Sequence, residues 1–346
     1  RAAAAGGITT VVASPDTRPI MDEIALVEFL ERRAQASGVV NVLPTATITK
    51  GMAGEEMTEI GLLAEAGAVL FTDGYSSITN PQVLRRALSY ASTFDALIAH
   101  HTEVPELAGD GVMNDGETAT RLGLGGIPGA AETIMLERDL RIVELTGGRY
   151  HAASISTADS VAAMRHAKDK GLRVTCGVAP YHFALNENEV GHYRTFAKVS
   201  PPLRSETDRD AIVTGLADGT IDIIASHHRP EDPEAKRLPF AQAAYGAVGL
   251  ETLFLIGLEL HHKGQLPLLD LLARLSLSPA NILGLPQGRL ARGAPADLVI
   301  FNPDTPARID AALFQSKSKN SPFDQRPVQG QVLRTVVAGA TVFEAS

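Results

Sequence analysis

The feature that most constrains this chain is a repeated alternation of two patterns. Short runs rich in valine, isoleucine, leucine and threonine recur along it, and helical stretches separate them. The strand-like runs are "ITTVVAS" (8–14), "VNVLPTATI" (40–48), "AVLFTDG" (68–74), "ALIAHHTE" (96–103), "RYHAASIST" (149–157), "LRVTCGVAP" (172–180) and "IDIIASHH" (221–228). Helical patterns fall at 22–36, 56–66, 81–93, 131–146, 158–170 and 206–217. Alternation of this kind specifies βαβ units, because parallel strands need a crossover that carries the chain back to the same end. The runs are apolar on both faces, as a parallel sheet covered by helices requires.

A closed barrel of this type needs eight strands, and seven are visible. The chain opens "RAAAAGGITTVVAS", the pattern of a helix end, a glycine pair and a strand. The expected fold class is therefore α/β, a (β/α)8 TIM-type barrel whose first strand lies upstream of residue 1. The competing open, doubly wound sheet lacks support, since no strand is followed by a G-x-G-x-x-G phosphate loop. A long helical stretch is expected over 239–283. Beyond it, "GRLARGAPADLVIFNPD" (288–304) and "VLRTVVAGATVFE" (332–344) have the pattern of short antiparallel strands joined by Gly/Pro turns. The expected organisation is a barrel over 1–287 and a small β-sandwich portion with the C-terminal segment over 288–346.

Composition narrows the partners. A net charge of −9 and a pI near 5.6 argue against nucleic acid or an anionic membrane surface. Apolar runs such as "LETLFLIGLEL" are too short or too interrupted to span a bilayer, and no secretory leader is visible. Cys176 alone cannot close an internal disulfide, which fits a reducing cytoplasm.

Chemistry in such barrels sits at the C-terminal ends of the strands. Those ends carry Asp16, then Asp73, then His100, His101 and Glu103, then His151 and Ser154, then Tyr181 and His182, and finally His227, His228, Arg229 and Glu231. Histidines and aspartates converging on one rim are how a hydrolytic zinc site is built, with a bound water made acidic enough to attack at neutral pH. Each residue also has a structural explanation. Asp73 before a glycine is a turn former. Neighbours on a strand face opposite ways, so only one of His100 and His101, and one of His227 and His228, can face the interior. His151, in mid-strand, is explained as a satisfied core histidine.

Longer stretches carry a more specific signal. They are "AAAAGGITTVVASPDT", "GVMNDGETATRLGLGGIPGAAETIMLERDL", "GGRYHAASIST", "SPPLRSETDRDAIVTGLADGTIDIIAS", "PFAQAAYGAVGLET", "GRLARGAPADLVIFNP" and "SKSKNSPF". Over essentially its whole length the chain resembles the dihydroorotases of the amidohydrolase superfamily. The resemblance implies a (β/α)8 barrel with a small β-sandwich, and reversible ring closure of carbamoyl aspartate in pyrimidine synthesis. It also implies one or two zinc ions. Their ligands would be an H-x-H pair on the first strand, a carboxylate or carboxylated lysine, and two later histidines. An aspartate at the last strand would serve as base and acid.

Carried over residue by residue, the H-x-H pair would lie upstream of Arg1. The carboxylate falls on Asp73 and the first later histidine on His101. The second falls in "YHAASIST" on Ser154, which cannot replace an imidazole ligand. The catalytic aspartate position is His227, in "ASHHRPE". Three substrate-binding positions are substituted: Asp16 and Ser200 stand where the family has asparagine, and Glu231 where it has histidine. Asp16 and Glu231 would repel an anionic substrate unless protonated or paired.

Three readings follow. The chain most resembles the degenerate, non-catalytic dihydroorotase homologues, which hold aspartate carbamoyltransferase subunits in a larger assembly. This reading expects zinc absent or weakly bound, homo-oligomerisation, and aspartate carbamoyltransferase as partner. In the second, an active Zn-dependent dihydroorotase uses Asp73, His101 and His227, since neutral imidazole is a competent base near pH 7. In the third, a metal-free binding protein lines its pocket with Tyr181, His182, Arg204 and Arg229; the structural explanation of Arg204 is that it holds a loop. The apolar helix "ETLFLIGLEL" (251–260) is expected to pack the barrel first and to form a subunit contact second.

Overall fold

The computed structural model describes residues 1–345. In chain order its elements are α1 (Ala2–Ala5), β1 (Thr10–Val12), α2 (Ile24–Ser37), β2 (Asn41–Leu43), α3 (Ile60–Glu65), α4 (Pro81–Ser92), β3 (Leu97–His100), α5 (Pro105–Ala108), β4 (Met113–Asn114), α6 (Glu117–Leu122), β5 (Gly126–Ile127), α7 (Gly129–Thr146), β6 (Arg149–Ala152), α8 (Ala158–Asp169), β7 (Val174–Val178), α9 (Pro180–Ala184), α10 (Glu206–Asp218), β8 (Ile223–Ile224), α11 (Pro233–Arg237), α12 (Leu253–His262), α13 (Leu268–Leu272), α14 (Ser278–Leu283), β9 (Leu298–Arg308), β10 (Pro327–Val337) and β11 (Ala340–Glu344). Each of the six helical patterns read from the sequence is present. The strands are shorter than the apolar runs that announce them. The run 68–74 forms no strand of its own: Phe71 alone bridges Ala46 on one side and Ile98 on the other, both in parallel. Beyond Phe71 the chain is diverted by Asp73, whose carboxylate binds a neighbouring segment.

The chain divides into two compact units. The first comprises Thr10–Gly109 and Pro128–Gly177. Its strands are added side by side in sequence order, all parallel. Thr10 pairs with Asn41, Ala46 with Phe71, Phe71 with Ile98, Leu97 with Arg149, and Tyr150 with Val174. That progression is a continuous parallel wall, as βαβ repetition dictates. Its helices start at recognisable caps. The Asn80 side chain accepts from Gln82 N ahead of Pro81 at the first helical position, and Thr157 accepts from Ser160 N. On α4 the buried residues Val83, Leu84, Ala87, Leu88 and Ala91 repeat at helical spacing, the stripe that packs on α7.

The second unit comprises Arg1–Thr9, Asp110–Ile127 and the chain from Val178 on. Within it, β4 and β5 pair in parallel around α6. Val112, Met113 and Ala119 form a small core with Val190 and Phe240. Beside that core, Glu187 accepts from Asn114 Nδ2 and Thr118 Oγ1, and Arg204 Nη1 donates to Asn114 Oδ1 (3.0 Å) and Ile127 O (2.6 Å). Ala225 N donates to Val178 O (2.9 Å), which sets the chain leaving β8 beside the last residue of β7.

The stretch 239–283 corrects the sequence expectation of a long helical region. Residues 239–252 contain no helix, and the helices lie at Leu253–His262 and from Leu268 to Leu283, with a π-helical turn at Ala273–Leu277. The cause is local. Gly246 sits at φ 124°, and a side chain on Gly249 would collide with Ser226 O at 2.1 Å, so these glycines serve a tight loop rather than a helix. Gly264 and Pro267 then interrupt the later part. The expected apolar helix α12 buries Leu253, Phe254, Ile256, Leu258 and Leu260 and packs on α9, α13 and β10.

The C-terminal antiparallel strands are present and longer than expected, in the order β11-β10-β9. Pro303 and Pro306 are accommodated in β9 because it is an edge strand. Thr335 Oγ1 of β10 donates to Ala4 O (2.7 Å), tying α1 to this sheet. Among the described residues, no helix is long and apolar enough to cross a membrane.

Candidate functional site

In the first unit, β3 delivers His100 and His101 to opposite faces. His100 is fully buried, and its ring is held at both nitrogens: Nε2 accepts from Ile78 N (2.8 Å) and Nδ1 lies 2.6 Å from Asp139 Oδ2. That fixes a neutral tautomer with the proton on Nδ1. Asp139 also accepts from Tyr150 OH (2.8 Å) and from the Arg138 guanidinium, at 2.9 Å from Nε and 2.6 Å from Nη2. Burial, followed by the Asp139 charge, raises the Tyr150 phenol well above its ordinary range. This is a packed structural cluster. His101, on the other face, is also buried; its ring meets Tyr75 edge-on at 5.7 Å, and Nε2 is 4.0 Å from the Glu103 carboxylate.

Asp73 is 1 % exposed. Its Oδ1 accepts from Ile48 N (2.8 Å) and Thr49 N (3.0 Å), and its Oδ2 from Thr49 Oγ1. Burial raises its carboxyl above the usual carboxylate range, opposed by the bonds from Thr49 and Ile48. Ser154 is buried just after β6. The loop that follows it is held by Glu132, which accepts from Ser156 N (2.8 Å), Thr157 N (3.2 Å) and both hydroxyls. His151 Nδ1 lies 2.8 Å from Thr175 Oγ1, the contact of a satisfied core histidine. Asp16 is exposed.

In the second unit, His227 follows β8 with φ 42°, left-handed for a residue with a Cβ. His228 Nδ1 accepts from Gly249 N (3.1 Å) and Leu250 N (3.4 Å), and burial lowers its pKa to about 4. His182 is buried, its Nε2 is 3.0 Å from Pro201 O, and burial lowers its pKa to about 3, with His227 and Arg204 adding to the shift. Ser200 precedes that proline and is half-buried. Arg229 Nε donates to Glu231 Oε1 at 3.1 Å, so the acid at 231 has a cation beside it. Arg204 is held by Asn114 and Ile127 of its own unit, which is the loop-holding role.

Sequence reasoning passed over Glu132 and Asp139. A signal was available: both fall on the buried stripe of α7, with Ala131, Met135, Leu136, Leu140 and Val143. An acid on an apolar stripe has to be met by donors.

The expected zinc positions that lie within these residues retain one imidazole, at His101, and one carboxylate, at Asp73. Of the three expected positions here, Ser154 offers a hydroxyl and Asp73 has both oxygens bonded to its own chain. Among the described residues, no group of three or more His, Cys, Asp or Glu side chains is arranged to hold a metal ion.

Comparison with known proteins places the chain. The Dihydro-orotase-like family matches residues 1–160, and the Amidohydrolase family residues 135–343. A dihydroorotase of Anaplasma phagocytophilum is 45% identical over 346 residues, all of this chain and 77% of the relative. The chain belongs to the dihydroorotase family. A second dihydroorotase, from Desulforapulum autotrophicum, is 44% identical over 99% of this chain and 80% of its own length. Among solved structures, an L-hydantoinase (dihydropyrimidinase) from Arthrobacter aurescens superposes with a TM-score of 0.88 at 27% identity, covering 99% of this chain and 79% of its own. A dihydropyrimidinase from Brevibacillus agri gives 0.85 at 21% identity over 99% of this chain and 78% of its own. The fold class is thus the α/β-barrel class of the amidohydrolases, with a small antiparallel β portion at the C-terminal end.

Proposed function

We propose that this dihydroorotase-family chain no longer catalyses ring opening or closure, and serves in pyrimidine biosynthesis as a structural partner of aspartate carbamoyltransferase. The observation that carries this reading is the state of the expected ligand positions: Ser154 offers no imidazole, and the Asp73 carboxylate is engaged by Ile48 and Thr49. The reading is supported further at the base position, where His227 stands in place of an aspartate. It is supported also by Glu231, whose carboxylate pairs with Arg229 instead of presenting an imidazole to a substrate carboxylate.

The second reading, an active zinc-dependent dihydroorotase with altered ligands, is favoured by one observation: relatives at 44–45% identity carry the name dihydroorotase. In that case His227 would take the proton that an aspartate takes elsewhere.

The test is elemental analysis of the full-length purified protein together with a dihydroorotate hydrolysis assay with added zinc. The structural reading expects zinc far below one per chain, no turnover, and a stable complex with aspartate carbamoyltransferase by size-exclusion chromatography. Near-stoichiometric zinc with turnover, abolished by His227→Ala, would overturn it.

A further inference from the structure

Two residues that a metal ion would have to bring together, Asp73 and His101, are engaged by different partners. Phe71 and Ile98 are bridged in parallel. Beyond that bridge the chain turns, and the Asp73 carboxylate goes to Ile48 and Thr49, whereas the His101 ring lies against Tyr75 and Glu103. His100 is held by Asp139 of α7 and by Ile78 N.

We infer that Asp73 is a structural clamp and not a metal ligand: its buried carboxylate fixes the segment Ile48–Thr49 by taking two backbone N–H groups and one hydroxyl. The three donors give each oxygen of the buried carboxylate at least one hydrogen bond. Thr49 in turn extends the clamp, since its Oγ1 also accepts from Gly54 N (2.9 Å) and so fixes the following turn. Lys50 N donates to Glu56 O (2.8 Å) and Thr58 N to Ile48 O (3.0 Å), closing the same loop. The order of this loop is therefore built from the chain's own groups and is independent of any ion. This holds whether or not the chain turns over substrate.

The test uses the full-length protein and three variants: Asp73→Asn, Thr49→Val and the pair. Bound zinc is measured by elemental analysis after incubation with excess zinc and desalting. Thermal melting is recorded with zinc and with a chelator. The clamp expects both single variants to melt several degrees lower, the pair to melt higher than the sum of the two losses would give, and zinc per chain to equal that of the parent. It also expects the parent's melting temperature to be the same in zinc and in chelator. If Asp73→Asn does not fold, Thr49→Val alone carries the comparison, because it removes one bond and leaves the carboxylate. The inference is overturned if Asp73→Asn lowers zinc retention tenfold or more while its metal-free melting temperature matches the parent's. Turnover with unchanged zinc in Asp73→Asn would overturn the non-catalytic reading and leave the clamp intact.

Discussion

Glu132 and Ser156 are joined twice, through the backbone N–H and through the hydroxyl, so one buried carboxylate of α7 fixes the turn after β6. The Asp73–Thr49 pair repeats the arrangement on another segment, again with backbone and hydroxyl of one residue on one acid. In both pairs the partners stand 24 residues apart in sequence. Glu132→Ala would strand two backbone N–H groups in a buried site. The expected loss is about 3 kcal/mol, from roughly 1–3 kcal/mol per unsatisfied donor with partial relaxation. Glu132→Gln, which keeps an acceptor oxygen, should lose less. Urea denaturation of the two variants checks the order.

Asp139, fully buried, collects the buried His100 and Tyr150 and the partly exposed Arg138. Asp139→Ala would leave the guanidinium of Arg138 without its carboxylate and the His100 Nδ1–H without an acceptor. A loss of about 3–5 kcal/mol is expected, the scale for breaking one side of a buried pair. Tyr150→Phe removes a single bond and no volume to speak of, so about 1 kcal/mol is expected. Equilibrium unfolding of both variants separates the two mechanisms.

The two depressed histidines predict an acid limb of stability. In the folded chain, His182 takes a proton only near pH 3 and His228 only near pH 4, whereas unfolded histidines take theirs near 6.5. The unfolded state therefore binds more protons below pH 6.5, and stability falls as pH falls from there toward about 4, by roughly 1.4 kcal/mol per pH unit for each group. The His228 geometry gives the same sign, because its Nδ1 is an acceptor for Gly249 and Leu250 and protonation removes the lone pair. His182→Gln should shallow the slope of denaturation free energy between pH 6 and pH 4 on that same scale of ~1.4 kcal/mol per unit.

Lys236 is buried with its ammonium on three carbonyls, those of Thr195 (3.1 Å), Lys198 (3.3 Å) and Ala244 (2.7 Å). Lys236→Met keeps the stem and leaves these acceptors without a donor. The expected cost is about 2–4 kcal/mol. Limited proteolysis of the segment around α11 should become faster in this variant, and unchanged cleavage there would count against the lysine as the fastener.

At the end of β8, the Gly249 backbone packs on Ser226 O so closely that any side chain would overlap it. Gly249→Ala should displace Ser226 and with it His227. A destabilisation of about 1–3 kcal/mol is expected, the range for overpacking a tight site. Thermal melting measures it directly.

Much of this protein follows from its sequence. Periodicity alone orders the strands and helices and makes the sheet parallel, because the period of the apolar residues is a local property that each segment carries by itself. The long stretches from "AAAAGGITTVVASPDT" to "GRLARGAPADLVIFNP" are enough to place it in its family, and the substitutions at 154 and 227 are visible without coordinates. The alternation of side chains along β3 already requires that only one of His100 and His101 face inward. Only the tertiary structure shows what holds each: Asp139 and Ile78 bind His100 from elsewhere in the chain, and His101 lies against Tyr75 and Glu103. The same is true of Asp73, a turn former or a ligand by sequence and a clamp by structure, and of Glu231, whose charge is offset by Arg229. The helical pattern over 239–283 misled for a related reason: the demand for glycine at 249 comes from the approach of Ser226, a backbone neighbour that no local pattern announces. Hydrogen-bond partners and close backbone approaches are set by residues brought together from far along the chain, and a periodicity read within one segment does not contain them.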